Sequence, residues 1–381
     1  MANGKFGGGD GSIEKPYLIE DGYDLNAIRD NLLAHYKIVK NIDMTQVCNE
    51  QNGNGWMPIE DFRGTLEGNG FSVRNLFINR VEDYQALFKS LRGGAIMNLG
   101  LVAVNIVGGS KYCAPLVGWM TTQDDLVENC FATGNLSAGA SIGGLVGIVD
   151  GGAIINSFSD VDITTTGTYT AGLVSCLNNE FSLIKNCYYS GTITGGSSGA
   201  GCVGQKVNGK VENCFFDSTK NLFTTADGLP TDKMQTADSF DAWRKEFYNF
   251  EKPVWVLRDG AYPKLFFTEA TKYFVFTDNV YKTYKDGQWV DVSTSFPADS
   301  DFAEHGMNAD ELAQVPRFKW NMLRKFKTFE LVASTDKYVI ERKIVKQDMV
   351  VDSQIADATI LKATIDFSKL GDSINRIRVV Q

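Results

Sequence analysis

Two histidines, His35 and His305, in 381 residues leave little material for imidazole catalysis or zinc chemistry. Basic residues are outnumbered 37 to 46, giving a net charge of −9 and a pI near 5.0. That balance argues against nucleic acid as a partner, because phosphate neutralisation needs concentrated Lys and Arg. No apolar run approaches the ~20 residues that cross a bilayer, so no membrane insertion is expected. The opening Met1-Ala2-Asn3-Gly4-Lys5-Phe6 lacks the apolar core of a secretory leader, so the chain is expected to fold in the cytosol where it is made. Seven cysteines form no Cys-x-x-Cys pair, and their odd count leaves one over in any disulfide scheme. Proline is scarce at 8, whereas glycine is plentiful at 38. With 43% hydrophobic and 22% charged residues the chain is folded rather than disordered. Many glycines beside many aromatic and β-branched residues point to β-strands joined by tight turns.

Two registers then repeat. The first reads Gln85-Ala86-Leu87-Phe88, Ala114-Pro115-Leu116-Val117-Gly118, Gly143-Gly144-Leu145-Val146-Gly147, Ala171-Gly172-Leu173-Val174-Ser175 and Ala200-Gly201-Cys202-Val203-Gly204. Its aligned positions 87, 116, 145, 173 and 202 are 29, 29, 28 and 29 residues apart. The second reads Ile96-Met97-Asn98-Leu99, Val127-Glu128-Asn129-Cys130-Phe131, Ile154-Ile155-Asn156-Ser157-Phe158, Ile184-Lys185-Asn186-Cys187-Tyr188 and Val211-Glu212-Asn213-Cys214-Phe215. A unit of about 28 residues cannot close a core alone, but stacked units can, each strand pairing with its equivalent in the next turn. The spacing predicts a mainly β fold, a parallel β-helix (solenoid) over 55–217. The recurring Asn suits a bend, bonding local backbone or stacking as an amide ladder.

Open solenoid ends need covers. Leu25, Ile28 and Leu32 share a helical face after Asp24, a candidate N-cap. Phe240, Trp243 and Phe247 repeat that spacing. The reading is therefore an entry and cap with a short helix over 1–54, repeats over 55–217, a second cap over 218–267, and a β-rich (α+β) module over 268–381. The last boundary also follows charge. From 93 to 205 the only basic residues are Lys111 and Lys185, whereas 16 of the 37 Lys and Arg lie between Glu269 and Gln381. In that module Lys272–Phe276, Val280–Tyr284 and Gln288–Val292 read as strands with a turn at Asp286-Gly287, Phe318–Arg324 as a helix, and Leu361–Phe367 as a strand.

The order Gly7-Gly8-Gly9-Asp10-Gly11, Lys15-Pro16-Tyr17-Leu18-Ile19, His35-Tyr36-Lys37, Asn41-Ile42-Asp43-Met44 and Phe62-Arg63-Gly64-Thr65-Leu66-Glu67-Gly68-Asn69-Gly70 precedes the repeats. Trp255-Val256-Leu257 and Tyr262-Pro263-Lys264-Leu265 close them. Together these resemble a GLUG-repeat protein across 1–267. Such repeats occur in secreted bacterial adhesins and surface proteases and in bacteriophage structural proteins. The resemblance implies a right-handed β-helix used as a rigid display scaffold, with no common chemistry. The hairpin run and Phe302–Met307 also resemble modules ending phage tail proteins of Gram-positive hosts.

Candidate chemistry has a structural reading beside each functional one. Cys130, Cys187 and Cys214 share a position with Ser157 and Leu99, which fits a buried, reduced stack. Phe131, Phe158, Tyr188 and Phe215 fall on one line, either a platform for sugar rings or a packing ladder. Asp160 with Asp162, and Asp124 with Asp125, are carboxylate pairs of the sort a glycosidase uses, yet neither has basic and aromatic residues clustered around it. Asp10-Gly11 and Asp217-Ser218 make no calcium loop, and the glycine-rich segments lack the strand–loop–helix setting of a phosphate site. No catalytic, cofactor or metal site is assigned. The expectation is a non-enzymatic phage virion protein, a rigid fibre, spike or adhesin on the tail that attaches to the host surface. A capsid or collar decoration, a bacterial surface adhesin and a polysaccharide depolymerase are the alternatives. Expected partners are other virion proteins, host cell-surface glycan and, by analogy with phage fibres, two further copies in a trimer.

Overall fold

The computed structural model describes residues 5–268 apart from 110, 197, 222–226, 246 and 249–251. Beyond them it describes 271–277, 280–285, 287–295, 297, 305–307, 320–325, 328–333, 339–344, 353–355 and 359–361. Two compact units result, Met1–Thr268 and Glu269–Gln381.

The first unit is a parallel β-solenoid whose coils pass through three sheets. Sheet 1 has eight strands, from Tyr17–Ile19 to Lys210–Glu212. Sheet 2 has five: Phe88–Leu91, Val117–Met120, Val146–Val149, Val174–Leu177 and Val203–Lys206. Sheet 3 has ten and ends with Gly228–Leu229. Pairing starts at Tyr17, well ahead of residue 55. Tyr17–Ile19, His35–Ile38 and Ile42–Asp43 join the same sheets as the later repeats. The cause is that coil stacking needs only matched backbone donors and acceptors, so the first coils pair without the glycine–leucine motif.

The first register seats sheet 2. Leu87, Leu116, Leu145, Leu173 and Cys202 are buried, and the residues after them pair directly, Phe88 with Val117, then Val146, Val174 and Val203. The second register turns the corner from sheet 1 to sheet 3. Asn98, Asn129, Asn156, Asn186 and Asn213 all hold φ between 50° and 53°. This left-handed region penalises most L-residues but is visited by Asn, so one residue redirects the chain. The amides also bridge coils. Asn129 donates to Asn98 at 2.9 Å, Asn186 to Asn156 at 3.2 Å and Asn213 to Asn186 at 3.2 Å, while Asn98 donates to the Glu67 carboxylate. Asn186→Ala loses both the amide bond and the tolerated bend, an expected cost of about 2 kcal/mol in urea unfolding. Asn186→Gly recovers the bend and should cost less; equal losses would show that the bend does not matter.

The thiol stack is present. Cys130, Cys187 and Cys214 are buried, and each Sγ donates to the carbonyl of a residue one coil earlier, Ile96, Ile154 and Ile184, at 3.6–3.7 Å. Ser157 continues the stack, accepting from the Cys130 N–H at 3.0 Å. All seven cysteines are free and buried. Burial pushes the Cys130 thiol up to about 12 and Cys113 to about 11. A thiol reagent at neutral pH is expected to label none of the seven in the native protein and all of them in denaturant, read by absorbance. Fast native labelling would contradict this burial.

Residues 227–268 do more than close an end. Phe131 stacks on Phe158 (4.9 Å, 5°) and Phe158 on Tyr188 (4.8 Å, 5°), along the outside of sheet 3. Across that line lie Phe267 against Phe131 (6.2 Å), Trp255 against Phe158 and Tyr188 (6.3 and 5.9 Å), and Trp243 against Phe215 (6.0 Å). Tyr188 Oη donates to the Pro263 carbonyl at 2.7 Å. The segment is thus a lateral strap over several coils, and the aromatic line is packing beneath it. Trp243 sits on a 3₁₀ segment, Ala237–Lys245, that kinks at Phe240 (φ −120°), whereas Phe247 belongs to a short strand, Phe247–Tyr248, rather than to the helix its spacing predicts.

The N-terminal helix also differs from expectation. It spans Gly22–Ala27 with a 3₁₀ turn at Ile28–Asp30, and its N-cap is Asp21, which accepts from Tyr23 N and Asp24 N. Asp24 is instead buried inside, its carboxylate accepting from Phe6 N (3.0 Å) and Glu20 N (2.9 Å). Burial raises its pKa, the two backbone bonds opposing the rise. Leu25 and Ile28 face the core as expected, and Leu32 packs at its edge.

The second unit is antiparallel. Thr271–Thr277, Val280–Lys285 and Gln288–Ser293 form the predicted meander, and Gly287 takes φ 79° in its turn. Trp320–Lys325 is a strand paired with Thr328–Ala333, not the helix predicted over Phe318–Arg324. Its Met, Leu, Arg and Lys favour a helix weakly, and cross-strand pairing overrides that preference. Thr359–Leu361 pairs with Ser353–Ile355. The predicted strand beyond Leu361, and Phe302–Glu304, lie outside the described residues.

Candidate functional site

The carboxylates singled out by type are occupied in joining coils. Asp160 and Asp162 are exposed on one face of Phe158–Thr165 with Val161 buried between them, as the alternation predicts. Asp160 accepts from Ser190 Oγ at 2.9 Å, and Asp162 from Thr192 N and Oγ1 at 2.9 and 2.6 Å. Asp125 is 1% exposed, and Gly93 N, Gly94 N, Thr121 N, Thr122 N and Thr122 Oγ1 all donate to it. Asp124 stays exposed beside it. Among the described residues no group of three His, Cys, Asp or Glu could hold a metal ion.

A different surface has the features of a binding face. In sheet 2, Trp119 pairs with Ser90 and Ile148, and Ile148 with Cys176, in a column that lies outside the main core cluster. The corner leading into this sheet carries Tyr84, Tyr112, Ser141 and Tyr169 at successive coils, with φ of 60°, 56°, 53° and 59°. Left-handed backbone is rare for a bulky residue and costs roughly 1–3 kcal/mol at each site. Here the coils impose it. Tyr84 N donates to Lys111 O, Tyr112 N to Ser141 O and Ser141 N to Thr168 O, at 2.7–2.9 Å.

The repeat's second glycine makes this corner fit. A Cβ on Gly147 would lie 2.4 Å from the Tyr112 carbonyl, one on Gly204 2.6 Å from that of Tyr169, and one on Gly118 2.9 Å from that of Tyr84. In the copy where Ser175 replaces glycine, its hydroxyl donates to the Tyr169 carbonyl at 2.8 Å. The motif therefore holds tyrosines against the outer face of the sheet. The Tyr84 ring stacks on Trp119 at 5.7 Å and meets Tyr112 at 5.3 Å. Trp119 is 36% exposed and donates its indole N–H to Asp150 at 2.7 Å, which also accepts from Asn178. Burial raises the pKa of both Tyr84 and Tyr112, with the charge of Asp83 next for Tyr84 and that of Cys176 next for Tyr112. The sequence signal for this face is the spacing of Tyr84, Tyr112 and Tyr169, which Ser141 interrupts.

Beside Tyr84 lies an open groove of about 630 Å³. Arg29, Arg80 and Lys89 line it together with Glu60, Glu82 and Asp83, three charges of each sign. The cations are engaged. Arg29 sits over the Trp56 ring at 4.8 Å and donates to the carbonyls of Pro58 (3.0 Å) and Met57. Arg80 donates to Trp56 O (3.0 Å) and Gly55 O (3.2 Å), and Lys89 pairs with Glu60 at 2.8 Å. Burial, and then Arg80, lowers Arg29 to about 10, so it stays charged at neutral pH. Gln85 also lines the groove. It is 3% exposed, its amide donates to Asp83 O at 3.2 Å, and no donor among the described residues reaches its Oε1.

No family model matches the chain. Halomucin of Haloquadratum walsbyi is 36% identical over 205 residues, which is 44% of this chain and 2% of that protein. A putative Gly-rich membrane protein of Evansella cellulosilytica is 35% identical over 123 residues, 30% of this chain and 14% of that protein. Among solved structures, an IgA1 protease aligns with a TM-score of 0.43 and 18% identity, over 52% of this chain and 16% of that one. The chain thus spans a small part of each of these similar proteins.

Proposed function

We propose that the chain is a non-enzymatic display scaffold, a rigid β-solenoid carried on a phage tail, whose outer face contacts the host surface. The observation that carries this reading is the corner series Tyr84, Tyr112, Ser141 and Tyr169, set on successive coils of a stiff ladder, with Tyr169 exposed and Tyr84 and Tyr112 half-buried. Evenly spaced contacts on a stiff body gain strength by multivalency without any one of them being strong. Its carboxylates serve the fold, with Asp125, Asp160 and Asp162 spent on coil contacts. The order of GLUG-like motifs and the resemblance of the second unit's hairpin sequence to phage tail modules support a virion setting with other virion proteins as neighbours, and the analogy with phage fibres supports a trimer. Mass spectrometry of purified virions, with copy number measured against the major capsid protein, tests it. A low copy number is expected, a high one means capsid decoration, and complete absence from particles overturns the virion setting. The names of the two similar proteins favour a second reading, a cell-surface adhesin, which that absence would leave standing.

A further inference from the structure

Cys187 and Cys214 hold the same position in successive coils. The residues on either side fix their spacing, Lys185 pairing with Glu212 and Tyr188 with Phe215 in register. In-register neighbours in a sheet stand ~4.8 Å apart, within the roughly 4.4–6.8 Å between Cα atoms that a disulfide spans. Both thiols turn the same way, donating to the carbonyls two residues earlier, Lys185 at 3.2 Å and Glu212 at 3.3 Å. They are also in hydrogen-bonding contact with each other. We propose that Cys187 and Cys214 are a disulfide-forming pair, joined when the reduced protein meets a peroxide, and that the bridge fastens the last full coil to the coil before it. This holds whether or not the scaffold is carried on a phage.

The other cysteines are placed differently. Cys130 belongs to the same stack, but Ser157 fills the coil between, which puts Cys130 ~9.6 Å from Cys187, too far to bridge. Cys202 faces the same end of the core, yet its hydrogen bond goes to the Asp227 carboxylate. That end is also where a small oxidant enters. Val203–Lys206 and Lys210–Glu212 are the last strands of sheets 2 and 1. Beside them lies an open pocket of about 470 Å³ with Val203, Val211, Cys214 and Asp227 in its lining. Cys214 is 4% exposed, whereas Cys187 is wholly buried, so Cys214 reacts first. Its Sγ attacks one oxygen of hydrogen peroxide, the O–O bond breaks, and a sulfenic acid and one water result. Cys187 Sγ then attacks that sulfur, forming the S–S bond and expelling a second water. The two thiols give up two hydrogens and two electrons, and one peroxide becomes two waters.

The test starts from the full chain, reduced with dithiothreitol and then freed of it. The native protein is held with a small excess of hydrogen peroxide at neutral pH, denatured, alkylated and mapped by mass spectrometry. Wild type is expected to lose about 2 Da, to label at five thiols rather than seven, and to yield a single disulfide peptide joining Cys187 to Cys214. Its urea midpoint should rise by roughly 1 M over the reduced form, as a cross-link closing a one-coil loop requires, and fall back in dithiothreitol. Cys187→Ser and Cys214→Ser should show neither the disulfide nor the shift. Serine fits there, since Ser157 fills this position one coil earlier and donates to the Ile155 carbonyl as the thiols do to theirs. Cys130→Ser and Cys202→Ser should behave as wild type. No disulfide, a bridge through Cys202, a bridge between two molecules, or sulfinic acid at Cys214 without a bridge overturns the pair. A Cys187–Cys214 bridge that leaves the midpoint unmoved overturns its fastening role.

Discussion

Gly147→Ala is expected to destabilise the solenoid by at least about 3 kcal/mol, the upper end of what added volume costs in a packed interior. The new Cβ would lie 2.4 Å from the Gly118 carbonyl and 2.4 Å from the Tyr112 carbonyl. Both are backbone atoms. Neither can move without breaking the ladders that pair Val117 with Val146 and Tyr112 with Ser141. Gly53→Ala provides the contrast. Nothing lies within 4 Å of its Cβ position, so only the left-handed backbone at φ 81° is charged against it, about 1 kcal/mol. Urea midpoints of the two variants check the difference. Equal losses would mean that the coils shift to admit the methyl group and that close approach is not what the motif's glycine provides.

Trp243→Ala should cost about 3–5 kcal/mol, and should act on the strap before the solenoid. Trp243 is fully buried, touches Phe240 and Trp255 at 4.6 Å each, and donates Nε1 to the Asn213 carbonyl at 3.2 Å. Truncation opens a cavity between the strap and the aromatic line, and removes a donor from the last corner of the Asn series. Limited proteolysis is the discriminating readout. Cleavage is expected within 218–267, with the coils resistant and the Phe158 and Tyr188 rings exposed to a hydrophobic dye. Cuts spread evenly through the coils would show that strap and solenoid unfold as one.

Much of the coil architecture is legible in the sequence because its causes are local and recur. Leu145 and Leu173 mark the entry to one sheet, and Asn129 and Asn156 the exit from another, since each coil must solve the same corner with the same residue type. The thiol stack is legible for the same reason: substitution among Cys, Ser and Leu defines a small buried position. What is not legible is set by contacts distant in the chain. The packing of Trp255 on Phe158 joins segments nearly a hundred residues apart, so spacing within Phe240–Phe247 reveals a helix-like pattern but not the surface it covers. The strand at Trp320–Lys325 exists through its pairing with Thr328–Ala333, which composition alone does not declare. The start of the solenoid at Tyr17 is hidden because its first coils stack Tyr17 on Tyr36 and bury Ile19 and Ile38 without the glycine–leucine motif. The tyrosine face lies between these extremes. Its spacing is visible, but that Tyr84 and Tyr112 stand half-buried and Tyr169 exposed is set by the packing of the coils around them.

The central claim is that this solenoid holds to a surface without cutting it. Incubating the purified protein with host wall preparations, and measuring bound protein and released sugar together, tests it most directly. Saturable binding with no reducing ends or unsaturated sugars above the buffer control is the predicted result. Sugar release that grows with time and protein concentration would contradict it, and would make the chain a depolymerase.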